Sequence, residues 1–455
     1  MGLRLAAAVA SALVAIAFPS STGTVRLPTL HVAPNGGENA SCTAFAPCSS
    51  FGRAYVVARP GQKVVVAPGH YRAQAIPFNR AKDAAGTNVR FLAKPGAVVD
   101  GDLVVRGSHV TVRGAASSPL RLHTLISRVT GANATSHQLF ENLHGATFQI
   151  WGTRYVTIRK SDWGPGTEPT DSESRITPDG GVLNSYPTHI LLDRIQVHDQ
   201  NSVDLGSHHN GGMELVAGRD ITIRNSRFFH DAVYDIEVQD FTNADCCGMK
   251  YGNASNVTLE GNVFEAPVLG PPYGSPKEPA GQPEVQFDPQ GGGWSDWTIR
   301  RNLFESGLAT SFDGDGSFYR HFRVERNLAG RLSDCGGRSQ GALWQDNVVA
   351  RGRCGGRSVP FGYRLDDMRL VGGQGARSVG YVFGAVASGR SPARAAAMAQ
   401  QRRLPAPPGG WTGTAAKALV TNSLYLGGRY GPSGAHRKLV GIRLWRRAQR
   451  SLARH

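Results

Sequence analysis

Seven stretches of the central chain decide the fold: YVTIRKSDW (155–163), ILLDRIQV (190–197), ITIRNSRF (221–228), VTLEGNVF (257–264), WTIRRNLF (297–304), FRVERNLA (322–329) and ALWQDNVV (342–349). Aligned on the last residue of the leading apolar run, they share an anchor column of Ile158, Leu192, Ile223, Leu259, Ile299, Val324 and Trp344. Five residues on, a second apolar column reads Trp163, Val197, Phe228, Phe264, Phe304, Ala329 and Val349. Between them, three residues past the anchor, stand Ser161, Ile195, Ser226, Asn262, Asn302, Asn327 and Asn347.

Each stretch reads as a short strand with alternate residues buried, a tight bend and a second strand. One such unit cannot bury its apolar face alone. Stacked units can, and each column then becomes a ladder through a continuous interior. The pattern predicts an all-β chain, a right-handed parallel β-helix solenoid. The Asn at the bend is expected to take left-handed backbone angles and to hydrogen-bond the Asn of the next coil. Uneven spacing between anchors predicts loops of variable length. A sandwich of antiparallel strands would not hold one register through seven repeats.

The residue after each anchor is Arg159, Asp193, Arg224, Glu260, Arg300, Glu325 and Gln345. In-register stacking would alternate their signs up one outer face, where each pair contributes a few tenths to about 1 kcal/mol and helps set register. The stack is expected to begin earlier, with strands at 63–67, 89–92, 103–105 and 110–112. Between residues 49 and 59, a Ser start with apolar Phe51, Ala54, Tyr55 and Ala58 suits a helix that plugs the open end.

Arg4, the apolar run from Leu5 to Phe18 and the small residues Ala15 and Ala17 read as a secretory signal over 1–23. A secreted or cell-surface location follows as an expectation. Six cysteines suit an oxidising compartment. Cys42 and Cys48 could close a short loop, Cys335 and Cys354 could join neighbouring segments, and the pairing of Cys246 and Cys247 is open.

The opening LHVAPNG…CTAFAPCSSFGRAY…ARPGQKVVVAPGHYR (30–72), with the repeats, resembles secreted bacterial β-helix proteins of the pectin lyase-like superfamily. The resemblance covers about residues 30–365. It implies extracellular polysaccharide binding, often with lyase or hydrolase activity. The solenoid is placed at 24–365.

Charge divides the chain differently. The total is +16, from 50 Lys and Arg against 34 Asp and Glu. Fifteen of the cations and none of the acids lie in 368–455, so the remainder is nearly neutral. Residues 366–455 are therefore expected to form a small basic domain that meets an anionic cell-wall or membrane surface, or nucleic acid. Within it, GYVFGAVASGRSPARAAAMAQQRRLPAPPGGWTGTAAKALVTNSLYLGGRYG (380–431) resembles the DNA-binding recombinase domain of large serine recombinases. The matching pieces are the small-residue helix after Gly389, the Pro405–Trp411 run, and Asn422, Tyr425 and Gly427. No resolvase-type catalytic domain precedes it. What carries over is a mainly helical module with a basic surface. His436–His455 reads either as a basic amphipathic helix for a surface or as a solvated helix closing the module.

A further strand set is expected at FQIW (148–151), GVLN (181–184), MELV (213–216), IEV (236–238), VQF (285–287) and SFDG (311–314). Its outward ladder would run Gln149, Asn184, Glu214, Glu237, Gln286, Asp313. Asp204, His208, His209, Asp235, Glu284 and Asp288 lie nearby. The candidate catalytic residues are Glu214, Glu237, Asp235, His208 and His209. Carboxylates on adjacent coils would stand about 5 Å apart, close enough to split their pKa values into an acid and a base or nucleophile. The same oxygens could hold Ca²⁺. A lyase would need a base such as His208, His209 or Lys250 near a cation. Trp294 and Trp297 flank a Gly-rich run and could stack on a sugar, with Trp297 equally suited to face inward. A monomer acting on polysaccharide is the expected form, with a non-catalytic adhesin-like glycan binder as the alternative.

Overall fold

The computed structural model describes residues 27–129, 135–166, 173–179, 185–200, 211–232, 234–239, 253–266, 284–288, 293–310, 318–333, 343–351, 356–357, 359–366, 369–428, 431–432 and 436–454. The chain folds as a right-handed parallel β-helix with helices at its C-terminal end. On one face, Leu30–Gly37, Lys63–Val66, Val89–Ala93, Val110–Arg113 and the strands that follow pair in chain order, each with its counterpart one coil on. After the bend, the other two strands of each coil join a second sheet.

Both apolar columns form interior ladders, buried throughout except at Trp344, which is partly buried. Ile158, Leu192, Ile223, Leu259, Ile299, Val324 and Trp344 are in register from coil to coil. Trp163, Val197, Phe228, Phe264, Phe304, Ala329 and Val349 stand likewise across the bend. Phe228, Phe264 and Phe304 stack with ring centroids 5.1 and 5.0 Å apart. Stacking follows from sequence because identical side chains at one strand spacing meet face to face.

The bend differs from expectation in one respect. Left-handed angles belong to the residue before the Asn column, whether that column holds Asn, Ser or Ile: Lys160, Arg194, Asn225, Gly261, Arg301, Arg326 and Asp346. The Asn side chain turns inward instead. Asn302 Oδ1 accepts the backbone N–H of Asn262 at 3.0 Å, and its Nδ2 donates to the Leu259 carbonyl at 2.9 Å. Asn327 and Asn347 repeat this one and two coils further on. Buried backbone groups that the turn leaves unpaired thereby find partners. Ser226 and Ser161 act as shorter rungs, each accepting an N–H from the preceding coil.

The alternating charge column forms as read. Arg113, Glu141, Arg159, Asp193, Arg224, Glu260, Arg300, Glu325 and Gln345 are in register. Glu141 pairs with Arg113 and Arg159, Asp193 with Arg224, and Glu260 with Arg300. Burial raises the Glu141 carboxyl, but hydrogen bonds from Arg159 and Lys160 outweigh it and hold the group below its ordinary value. An additional outer column went unread in the sequence. His109, His137, Tyr155 and His189, all with left-handed φ, stack ring on ring at 4.4–4.6 Å.

Helix α1 (Phe51–Val57) begins at Ser50, whose side chain accepts the Arg53 N–H. It buries Phe51, Ala54 and Tyr55, and Phe51 stacks on Phe91 of the first coils at 5.3 Å. The end of the core is covered as the pattern predicted. Cys42 and Cys48 form a disulfide. The signal region and Cys246, Cys247, Cys335 and Cys354 lie outside the described residues. A short helix α2 (Arg80–Asp83) follows.

After the hairpin Tyr363–Asp366 and Arg369–Gly372 come helices α3 (Ala376–Ala387), α4 (Pro392–Gln401), α5 (Gly413–Thr421) and α6 (Ile442–Leu452). Their core of Val379, Val382, Phe383, Val420, Leu424 and Tyr425 also takes in Leu328 and Val348. Those two residues point outward from the last coils, so the helices rest on the flank of the solenoid. No helix among the described residues is long and apolar enough to cross a membrane.

Candidate functional site

The site-bearing row lies on the third strand of successive coils. Its register reads Gln149, Arg175, Glu214, Glu237, Gln286, with Ala309 beyond. Glu214 and Glu237 are therefore neighbours on strands Met213–Leu215 and Ile236–Gln239, as the alternation of M-E-L and I-E-V dictates. Two expected rungs are corrected. Asn184 and Asp313 lie outside the described residues, and their places are taken by Arg175, on strand Ser174–Thr177, and by Ala309. The segment S-R-I-T alternates as well as G-V-L-N does, and sequence had no means to rank them.

Arg175 changes the chemistry. Its guanidinium is in ion-pair contact with Glu214 and also reaches Glu173 at 2.7 Å. Tyr234 donates its hydroxyl to the other Glu173 oxygen at 3.2 Å. Gln239 donates an amide N–H to Glu237 at 3.0 Å. Gly211 lets the chain pass against the Tyr234 ring, where a Cβ would overlap Cε2 and Cδ2. Burial, then the charge of Glu173, push the Glu214 carboxyl well above its ordinary value, with Glu237 adding to them. The shared guanidinium of Arg175 works against these contributions and does not reverse the shift.

Asp235 is equally buried but belongs to a different pair. It faces Asp231 and lies near Glu284, and burial followed by the Asp231 charge drives its carboxyl upward. Asp231 is pushed up as well, chiefly by burial, although the Gln200 N–H donates to it at 3.0 Å. A carboxyl whose folded pKa is raised holds its proton more tightly folded than unfolded. The stability it contributes is fully present below the unfolded value near 4 and is lost as pH rises above it. The Asp235→Asn variant should therefore raise the melting temperature near neutral pH and change it little at about pH 4. The same melting temperature for variant and native chain at both pH values would contradict a raised Asp235 carboxyl.

His208 and His209 lie outside the described residues, as do Asp204 and Lys250. Trp294 and Trp297 are not sugar platforms: both rings are wholly buried around Phe287. The aromatic on the site's own face is Trp151, two residues after Gln149 and half-buried. Its indole N–H donates to Gln149 at 3.1 Å, and the Arg128 guanidinium covers its ring at 5.2 Å. The F-Q-I-W alternation carried this signal, since Trp151 shares the parity of Gln149. Among the described residues no group of three His, Cys, Asp or Glu side chains converges to hold a metal ion.

A second polar cluster lies on the neighbouring strand set. Asp162 accepts from His144 and His198, each at 3.1 Å, and His198 meets Asp199 at 2.6 Å. The Asp162 hydrogen bond, opposed by burial and aided by Asp199, raises the His198 pKa. Burial works against ionised Asp162, yet its two histidine partners hold the carboxyl far below the ordinary range.

No protein-family model and no curated protein matches the chain. Three solved structures are similar to it in part. Pectate lyase Pel9A shares 14% identity over 72% of this chain and 75% of its own, with a TM-score of 0.35. An alginate lyase from Paenibacillus sp. str. FPU-7 shares 10% over 71% and 94%, with a TM-score of 0.35. A rhamnogalacturonan lyase shares 12% over 73% and 84%, with a TM-score of 0.32. Likeness of this degree carries no information on chemistry.

Proposed function

We propose that this chain is an exported protein that binds a polysaccharide across the outward row from Gln149 to Gln286 and hydrolyses it with retention at Glu214 and Glu237. The observation that carries the reading is the in-register carboxyl pair, in which burial and the Glu173 charge push Glu214 well above the ordinary carboxyl range. Glu214 is the acid that protonates the departing glycosidic oxygen. Glu237, held by Gln239, is the nucleophile at the anomeric carbon. Adjacent strands stand about 4.8 Å apart, which suits direct attack and leaves no room for an intervening water. Trp151 and the Arg128 guanidinium over its ring border the row at its Gln149 end.

Hydrolysis suits this row better than β-elimination. A lyase must neutralise a uronate carboxylate, and the row's one described cation, Arg175, is already shared by Glu173 and Glu214. A uronate there would meet a surplus of negative charge. The sugar cleaved is therefore taken as uncharged.

The test is a screen of the purified protein on neutral and acidic polysaccharides, reading both new reducing ends and ultraviolet absorbance from unsaturated uronates. Reducing ends without unsaturation are expected. Unsaturated product would replace hydrolysis with elimination and turn attention to His208, His209 and Lys250. One observation favours a second reading, an adhesin-like glycan binder: Glu214 and Glu237 are only 3% and 6% exposed. Tight glycan binding with no product from any polymer would establish that reading instead.

A further inference from the structure

Fourteen described Lys and Arg side chains between Arg369 and Arg454 are all exposed, and none forms a salt bridge among the described residues. The sequence explains why: residues 368–455 contain no Asp or Glu. On the solenoid, by contrast, Glu141, Asp193 and Glu260 each pair with arginines of their own column. The densest part of the uncompensated surface is α6 and the turn after it. Arg443, Arg446, Arg447, Arg450 and Arg454 recur at three- and four-residue spacing, which puts them on one side of the helix. From Arg443 to Arg454 the stripe is about 16 Å long.

The opposite side of α6 is spoken for. Ala448 is buried in the helical core, and Leu444 and Trp445 pack against it. Ile442 is the one large apolar side chain between residues 369 and 454 that is exposed, among those described. Membrane association of a basic helix needs an apolar face to bury in the lipid. Here that face is used up inside the protein. Binding of single-stranded nucleic acid needs exposed aromatic rings for base stacking. Tyr363, Phe383 and Tyr425 are buried. Trp411 is tied to the Leu404 carbonyl and packs on Phe361, while Tyr381 lies under Arg402. Guanidinium groups, thirteen of the fifteen cations, suit flat two-oxygen anions, which they grip with paired N–H bonds.

We propose that the arginine stripe of α6 is a docking site for a linear polycarboxylate polysaccharide, a chain of uronate-type sugars. It is separate from the carboxyl row at Glu214 and independent of any reaction there. The helices rest on Leu328 and Val348 of the last coils, so a polymer held on α6 keeps the solenoid against the same matrix.

The full chain is titrated with fluorescently labelled polygalacturonate at about 50 mM salt and at rising salt. A variant carrying Arg443→Gln, Arg447→Gln, Arg450→Gln and Arg454→Gln is compared with a charge-matched control carrying Arg72→Gln, Arg90→Gln, Arg121→Gln and Arg154→Gln on the solenoid. All eight side chains are exposed, so neither set should disturb folding; circular dichroism checks this. Expected are salt-sensitive binding, a loss of at least about tenfold in the α6 variant, and near-native binding in the control. The Glu214→Gln, Glu237→Gln protein should bind as the native chain does, which separates docking from the carboxyl row. Equal losses in both arginine variants would reduce the effect to net charge and overturn the assignment. Tighter binding to a DNA duplex, or to vesicles containing phosphatidylglycerol, would assign the stripe to nucleic acid or lipid instead.

Discussion

Replacing Glu214 by Gln is expected to lower glycan turnover by about 10²–10⁴-fold while leaving the fold intact. The side chain keeps its size and its place between Arg175 and Glu237, but it can no longer deliver a proton to the leaving oxygen. Burial and the Glu173 charge raise the Glu214 pKa, so its acid form persists to higher pH than for an exposed glutamate. Activity should fall as pH rises through that raised value. The Glu214→Gln protein should lack this alkaline limb and should be partly rescued on substrates whose leaving group needs no protonation. Glu237→Gln should be as severe on every substrate, because it removes the nucleophile. The two losses should not multiply, since both residues serve one displacement. Steady-state rates against pH on an activated and a natural glycoside provide the measurement. Retention of more than about a tenth of native activity by either variant would take the pair out of the mechanism.

The largest effect on stability is expected at Asn302. Asn302→Leu leaves the Asn262 N–H and the Leu259 carbonyl without their side-chain partner in a buried bend, while Asn327 Oδ1 keeps the residue 302 backbone N–H and loses only its second donor. At about 1–3 kcal/mol for each orphaned group, the cost is about 4 kcal/mol after relaxation. Asn302→Ser should cost about half as much, because the chain already uses that substitute: Ser226 accepts the Ile195 N–H at 3.2 Å. A serine hydroxyl reaches its own coil's carbonyl, as Ser226 does with Arg224, and cannot reach back to the previous one. Denaturant titration gives the loss, and hydrogen exchange at the Asn262 amide reports whether it is local to the bend. A Leu variant within about 1 kcal/mol of native would mean that the ladder is ornamental to stability.

The solenoid, its two apolar ladders, the charged column and the end plug were legible in the residues because each is a local pattern repeated. A strand shows one face by alternation, and repetition at one strand spacing forces like onto like. Phe264 and Glu260 needed no tertiary information to find their neighbours. The carboxyl pair was legible for the same reason: M-E-L and I-E-V place Glu214 and Glu237 outward on successive coils.

What the tertiary structure alone decided is which segments between the repeats become strands, and so what stands beside that pair. Ser174–Thr177, carrying Arg175, occupies the rung expected for Asn184, because variable loops carry no period to mark their register. Glu173 and Tyr234, 61 residues apart, meet only through coil stacking. Trp294 and Trp297, of opposite parity on one strand, both turn inward because Asp296 between them takes a left-handed φ of 62° and resets the alternation, whereas Trp151 is half-buried on the outer face. The apolar residues of α6 could have met lipid or protein. The packing of Leu444, Trp445 and Ala448 against the other helices, which no composition reveals, leaves arginine, with Ile442 at the start, on the face that the helix presents to water.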